Sequence, residues 1–173
     1  MSLECESRDS FSEELLELYY SSFSEIEKIP LENLERAMAH GAVLDVYSED
    51  GRFIGFTYSF IDADKLFLIY FATVPEVRGK GYGARILDMH KERYRDKRSF
   101  LITEPKDRHA DDYEMRVRRQ AFYVRNGCVE TGVKILSDDA WFDSMFLQGT
   151  LTDQEMVDIV RLYEDIHNGR TGR

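Results

Sequence analysis

Cysteine, proline and tryptophan are scarce in this chain, at two, three and one among 173 residues. The two thiols, Cys5 and Cys128, have neither the number nor the spacing of a disulfide framework or a zinc site, and a reducing, cytoplasmic home is expected. Cys128 follows a helix-ending glycine and reads as core filler. Histidine is just as thin: His40, His90, His109 and His167 share no metal-ligand spacing, so no metal is expected. No apolar run approaches the roughly 18 residues of a membrane span. The longest, residues 66–72, is strand-sized, and no basic patch followed by an apolar stretch opens the sequence, so neither membrane nor secretory targeting is expected. A basic excess is also missing. The formal net charge is −10, which argues against nucleic-acid binding, where a basic face must displace counterions.

What is present is a 43% hydrophobic, 13% aromatic chain suited to one domain with a sizeable core. Its acidity is uneven: residues 1–70 hold 15 acids against 5 bases, leaving 18 of each for residues 71–173. A solvated acidic face accounts for such an excess without any functional use.

Ser10 to Glu13 has capping-box spacing, and Phe11, Leu15, Leu18, Tyr19 and Phe23 recur at helical intervals, predicting a helix over 11–22. Pro30, the Leu31, Leu34, Met38 stripe and Gly41 predict a second, short helix. Residues 42–47 and 52–60, around a Ser-Glu-Asp-Gly turn, form a hairpin. Residues 66–74 do not alternate and predict a strand buried on both faces, the centre of the sheet. Then follow a helix carrying Ile86, Leu87, Met89 and Tyr94, and a strand over 99–104 stopped by Pro105. The next helix, 113–125, sets Val117, Ala121 and Val124 on a packing face, apart from Arg116 and Tyr123. A second hairpin spans 129–136 and 140–147. Thr152 to Glu155 repeats the capping box before the stripe Met156, Ile159, Val160, Tyr163, Ile166, and residues 168–173 form a frayed tail. The expected fold is a mixed α/β sheet: antiparallel hairpins flank a βαβ-like core, with helices on both faces and an extra C-terminal helix.

The run from Thr73 to Leu87 carries the chemistry. Glycines at 79, 81 and 83, interleaved with Arg78 and Lys80, join the buried strand to a helix. Without Cβ atoms the backbone N–H groups can approach a ligand closely while the helix presents its positive end, so a di- or triphosphate is the expected ligand. Gly79 to Ala84 also spells G-x-G-x-x-A, with Glu104 where a ribose-binding acid would be sought. A dinucleotide fold, however, wants its fingerprint on the first strand with parallel units after it. A Walker loop fails because no Lys-Ser or Lys-Thr pair follows a glycine at the required spacing.

Arg78, Gly81 and Gly83 match the Arg/Gln-x-x-Gly-x-Gly/Ala signature of the GCN5-related N-acetyltransferase (GNAT) superfamily, which this chain resembles. Residues 71–75 are similar to that family's strand before the signature, and residues 119–128 to its later helix with an aromatic pair and terminal glycine. Element order agrees over roughly residues 10–147. The first strand is weak here, with only residues 3–6 available, and the C-terminal helix is an addition.

The resemblance implies one acetyltransferase domain over 1–167, with acceptor-lining elements in 1–41, an acetyl-CoA-binding core in 42–147 and the added helix in 150–167. It implies that Arg78, Gly79, Lys80, Gly81, Tyr82, Gly83 and Ala84 hold the pyrophosphate of acetyl-CoA, and that Phe71, Ala72, Thr73 and Val74 pair with its pantetheine arm. Tyr123 would hydrogen-bond the departing thiolate. Arg116, which stands where the family often has Asn, would touch the cofactor. Glu104 is the first candidate for the base that deprotonates the amine, with Glu25 and Glu27 behind it. The acidic first 70 residues suggest a cationic acceptor: a polyamine, an aminoglycoside-like amine, or a protein N-terminus or lysine. A catalytically silent acyl-CoA sensor and, from another class, a dinucleotide-binding module are the alternatives. The C-terminal stripe either packs on its own sheet or joins two subunits in a homodimer.

Overall fold

The computed structural model describes residues 2–170. Seven strands form one sheet: β1 (Leu3–Arg8), β2 (Ala42–Glu49), β3 (Arg52–Asp62), β4 (Lys65–Thr73), β5 (Arg98–Thr103), β6 (Val129–Ser137) and β7 (Ala140–Gln148). They lie in the order β1-β2-β3-β4-β5-β7-β6. Only β4 and β5 run parallel, joined by a right-sized helical crossover; every other neighbour pair is antiparallel. The first strand, weak in sequence, is fully paired with β2 along all six of its residues. The hairpin turns are two residues long, and Asp50, Gly51, Asp138 and Asp139 all take the positive φ that such turns require.

Five helices cover the sheet: α1 (Glu13–Ser22), α2 (Leu31–Met38), α3 (Tyr82–Arg93), α4 (Tyr113–Arg125) and α5 (Asp153–His167). The largest core packs α1, α2 and α5 against Leu44, Phe56, Tyr58, Phe67 and Tyr70. On the opposite face, Leu87 and Tyr123 join Leu66, Leu68, Leu101 and Met145, while Ile86 joins Tyr47 and Ile54. The C-terminal stripe packs in cis, with Met156, Ile159, Val160, Tyr163 and Ile166 all buried within this one chain. Its capping box is complete, with Thr152 and Glu155 each accepting from the other's backbone N–H.

Three expectations change. The cap of α1 is Ser12, whose hydroxyl accepts from Leu15 N–H at 3.2 Å, so the helix starts later than residue 11. The buried residues of α4 are Gln120 and Tyr123; Ala121 and Val124 face solvent, and Val117 is half-buried. Polar partners decide that face: Gln120 Nε2 donates to the Glu104 carbonyl at 3.0 Å and to Asp143 at 3.1 Å, so a polar side chain occupies the position that apolar spacing would have given to valine. Residues 168–170 continue the C-terminal structure, with Asn168 closing α5 and Arg170 paired to Asp165 at 3.0 Å; residues 171–173 of the expected tail lie outside the described residues. As expected, β4 is the central strand and is buried on both faces; it also carries a bulge. Tyr58 pairs Tyr70 while Ser59 pairs Leu68, leaving Ile69 extra. The side-chain phase flips there, so Tyr70 and Ala72 join Phe67 on one face while Phe71 joins Leu66 and Leu68 on the other.

Candidate functional site

The bulge sits where β4 leaves β5. Their parallel pairing runs from Lys65–Arg98 to Leu68–Leu101 and stops, although β4 continues to Thr73 and β5 to Thr103. Beyond Leu68, the β5-facing edge of β4 therefore has unpaired backbone groups in the middle of a sheet. A polar backbone edge of this kind requires partners. The gap between the strands opens into a cleft of about 810 Å³, with Phe71, Ala72 and Thr73 on one side and Ile102 and Thr103 on the other.

One end of the cleft is the glycine loop. A short 3-10 turn, Pro75–Val77, follows β4, and Gly79 and Gly81 then take φ of 77° and 85°, left-handed conformations that L side chains avoid. Gly81 is the N-cap of α3 and has no capping side chain, so the first amides of a twelve-residue helix are left for an external acceptor. A Cβ on Gly83 would meet the Phe122 ring at 3.0 Å, so glycine is what lets α3 and α4 approach across the cleft. Arg78 donates through Nε to the Thr73 carbonyl at 3.1 Å, fixing its position at the loop's start. The cradle suits a diphosphate: unoccupied amides, a helix N-terminus, and Arg78 and Arg125 in the lining.

Tyr123, Glu27 and Arg119 also line the cleft. Burial pushes the Tyr123 phenol well above its usual range, so it stays protonated and can serve as a hydrogen-bond donor. Glu27 comes from the α1–α2 connection, which is pinned by tyrosines. Tyr70 donates to the Glu27 carbonyl, and Tyr19 accepts from Ile29 N–H at 2.8 Å and donates to its carbonyl at 2.9 Å. The Glu27 carboxylate accepts from Ser24 Oγ at 3.1 Å and lies 3.8 Å from Arg119 Nη1. Burial first, and then the neighbouring Glu104 carboxyl, raise Glu27 to about 7 against the opposing pull of Arg119. A carboxyl that titrates near neutrality is suited to taking a proton.

The residues expected from sequence divide cleanly. Phe71, Ala72, Thr73, Arg78, Gly79, Gly81, Gly83, Ala84 and Tyr123 come together along the cleft. Val74, Lys80, Tyr82, Arg116 and Glu104 are not among its lining residues. Val74 packs into the core, and Tyr82 donates to Glu49 on the far side of α3. Arg116 is committed to Glu104 at 2.5 Å, to Asp112 at 2.8 Å and to the Pro105 carbonyl at 3.2 Å, so it is a buried strut between α4 and β5. Glu104 is 5% exposed, is bound by that guanidinium and does not line the cleft. Sequence spacing missed Arg119, Phe122 and Ile102 as cleft residues; the first two lie in the 119–128 run that carries the resemblance, while Ile102 has no local signal.

A sequence model of the Acetyltransferase (GNAT) family matches residues 8–127. The chain belongs to the GNAT family. Solved structures of GNAT proteins share its fold. A Bacteroides thetaiotaomicron protein assigned to the GNAT acetyltransferases superposes with a TM-score of 0.67 at 23% identity, covering 89% of this chain and 88% of that one. Ard1 from Thermoplasma volcanium gives a TM-score of 0.60 at 19% identity, over 84% of this chain and 97% of its own. An aminoglycoside 6'-N-acetyltransferase complexed with coenzyme A gives 0.60 at 15% identity, over 86% and 99%. A search of curated proteins finds no match. GNAT enzymes use acetyl-CoA, and the cradle of free amides with its adjoining unpaired strand edge fits a diphosphate that carries an amide-bearing arm. Among the described residues no cluster of metal-ligating side chains occurs, and no helix is long and apolar enough to cross a membrane.

Proposed function

We propose that this protein transfers an acetyl group from acetyl-CoA to a primary amine, within a single domain that spans residues 1–167. One observation supports the reading above the rest: a phosphate cradle, an unpaired strand edge, a buried phenol and a carboxyl titrating near 7 all border the same cleft. Acetyl-CoA, when bound, supplies an acetyl thioester activated for attack by nitrogen. The amides of Gly79 and of residues 81–84 and the dipole of α3 hold its phosphates, while the Lys80 N–H is taken by the Val77 carbonyl at 3.3 Å and Arg78 adds charge at the loop entrance. The free edge of residues 69–73 offers N–H and C=O groups to the pantetheine amides, as an added strand would use them. An N–H of that edge also stands ready for the carbonyl oxygen as negative charge gathers there.

Glu27 takes the proton that the amine must lose to become nucleophilic, directly or through one water. Arg119 holds it in place and stabilises its ionised form. Tyr123 donates a hydrogen bond to the sulfur as the C–S bond breaks; an unperturbed thiol is more acidic than a phenol, and the raised Tyr123 makes full proton transfer still less favourable. Stabilisation of developing charge is therefore its role. The cationic-acceptor expectation has little support in the site, since of the 15 acids before residue 71 only Glu27 lines the cleft. Others are spent elsewhere: Asp45 on Tyr94 at 2.5 Å, Glu49 on Arg85 at 3.1 Å, and Asp64 on Arg98 at 2.9 Å. The test is thiol release from acetyl-CoA across a panel of primary amines. Tyr123→Phe should lower kcat about tenfold to a hundredfold with acetyl-CoA affinity retained. Tight acetyl-CoA binding with no turnover of any amine would instead favour the silent sensor.

A further inference from the structure

A second cavity, of about 50 Å³, lies on the other side of the strand gap. It shares Glu27, Ile69 and Ile102 with the main cleft, so the two meet beside the carboxyl assigned as base. Ile29, Phe67 and Phe142 form its apolar walls, all buried or half-buried, Tyr70, Tyr163 and Ser137 add polar edges, and Ile26 stands at the rim with 58% of its surface in water. Among the described residues no Lys or Arg lines it. Glu27 and Asp138 are its two acids; Asp138 is solvent-facing and lies 3.9 Å from His167 Nε2.

Resting on the acetyl-transfer reading, we propose that this cavity receives the substituent next to the acceptor amine, and that the acceptor carries a short, uncharged, apolar group there. Size sets the first limit. The space holds about three or four methyl-sized groups, since each water-sized occupant needs roughly 10–15 Å³. Charge sets the second. A second ammonium would be stripped of water among Ile29, Phe67 and Phe142, where Glu27 is already required by the reacting amine and the other carboxyl, Asp138, is turned to solvent. An apolar substituent gains there, at roughly fourfold in affinity per buried methylene. Exposed Ile26, unremarkable alone, is explained as the lip that such a group slides beneath. Phe142 on β7 and Tyr163 on α5 lie beyond residue 127, where the family's sequence match ends.

The same chemistry occurs in free alkylamines and in peptides that begin with alanine or valine, and the experiment separates these sources. Thiol release would be followed with small alkylamines, with peptides of each N-terminus, with spermidine and with a lysine-initiated peptide, while calorimetry measures acetyl-CoA binding in parallel. Compact apolar amines of one source or the other should exceed the polycations at least tenfold in kcat/KM. Ile26→Trp, a change at an exposed rim, should raise their KM at least tenfold with the acetyl-CoA Kd within twofold. A preference for spermidine, or an unchanged KM in Ile26→Trp with turnover intact, overturns the pocket alone. Acetyl-CoA bound without acetylation of any amine overturns acetyl transfer, and the pocket with it.

Discussion

Glu27 concentrates the electrostatics of the site. Its folded carboxyl, raised to about 7, ionises later than it would in the unfolded chain, so the stability it confers is complete below about pH 4.5 and is lost as the pH rises through 7. The same ionisation creates the base. With a saturating acceptor, activity should therefore climb between about pH 6 and 8, as Glu27 ionises. Glu27→Gln should remove that limb and lower kcat by about 10²-fold or more, while its denaturation midpoint at pH 8 rises. A pH-rate profile and a denaturant titration of the two proteins check both signs. The glycines at 79, 81 and 83 are legible in the sequence because a phosphate loop is local: the residues that build it are neighbours in the chain. Glu27 reads there as one surface acid among many. Its partners Glu104 and Arg119 arrive from β5 and α4, and only the folded chain supplies the burial that shifts it.

At the scale of elements, the site depends on two departures from regularity. The bulge at Ile69 turns β4 away from β5 and re-aims Tyr70 at the α1–α2 connection, so one extra residue both opens the cleft and anchors the loop that carries the base. In sequence this shows only as a strand without alternation, which is also what burial on both faces produces. The order of strands and helices was legible because caps, turns and stripes are local; the bulge, a matter of register between strands, was not. The second departure is the polar buried face of α4. Arg116 and Glu104, with side chains 16% and 6% exposed, bind α4 to the end of β5. Arg116→Ala leaves a buried carboxylate short of its closest partner and should cost about 3–5 kcal/mol in denaturant unfolding. Replacing both by apolar residues, as Arg116→Met with Glu104→Leu, should recover most of that loss. A cost below 1 kcal/mol for the single change would mean that Arg119, at 3.7 Å, suffices for Glu104.

For the whole molecule, the C-terminal helix is a structural necessity. Five of its apolar side chains are 5% exposed or less, and each contributes about 1.5–3 kcal/mol on burial, a sum comparable with the total stability of an ordinary domain. A chain ending at Gly149 should therefore be insoluble or unfolded, as circular dichroism and size-exclusion chromatography would show. A folded, monomeric truncation would mean that the helix is dispensable to the core. The stripe was plain in the sequence, but whether its partner was this sheet or a second subunit depended on the uncovered face that α2 and β4 leave beside it.

The most direct measurement is a calorimetric titration of acetyl-CoA into the wild-type protein and into Gly81→Glu, each first shown to be folded by circular dichroism. Gly81 occupies a left-handed conformation at the N-terminus of α3 with open space around it, so the substitution disturbs the loop and brings a negative charge to it without a steric clash. If main-chain amides there hold the diphosphate, the affinity should fall at least a hundredfold. An unchanged affinity in the folded variant would contradict it.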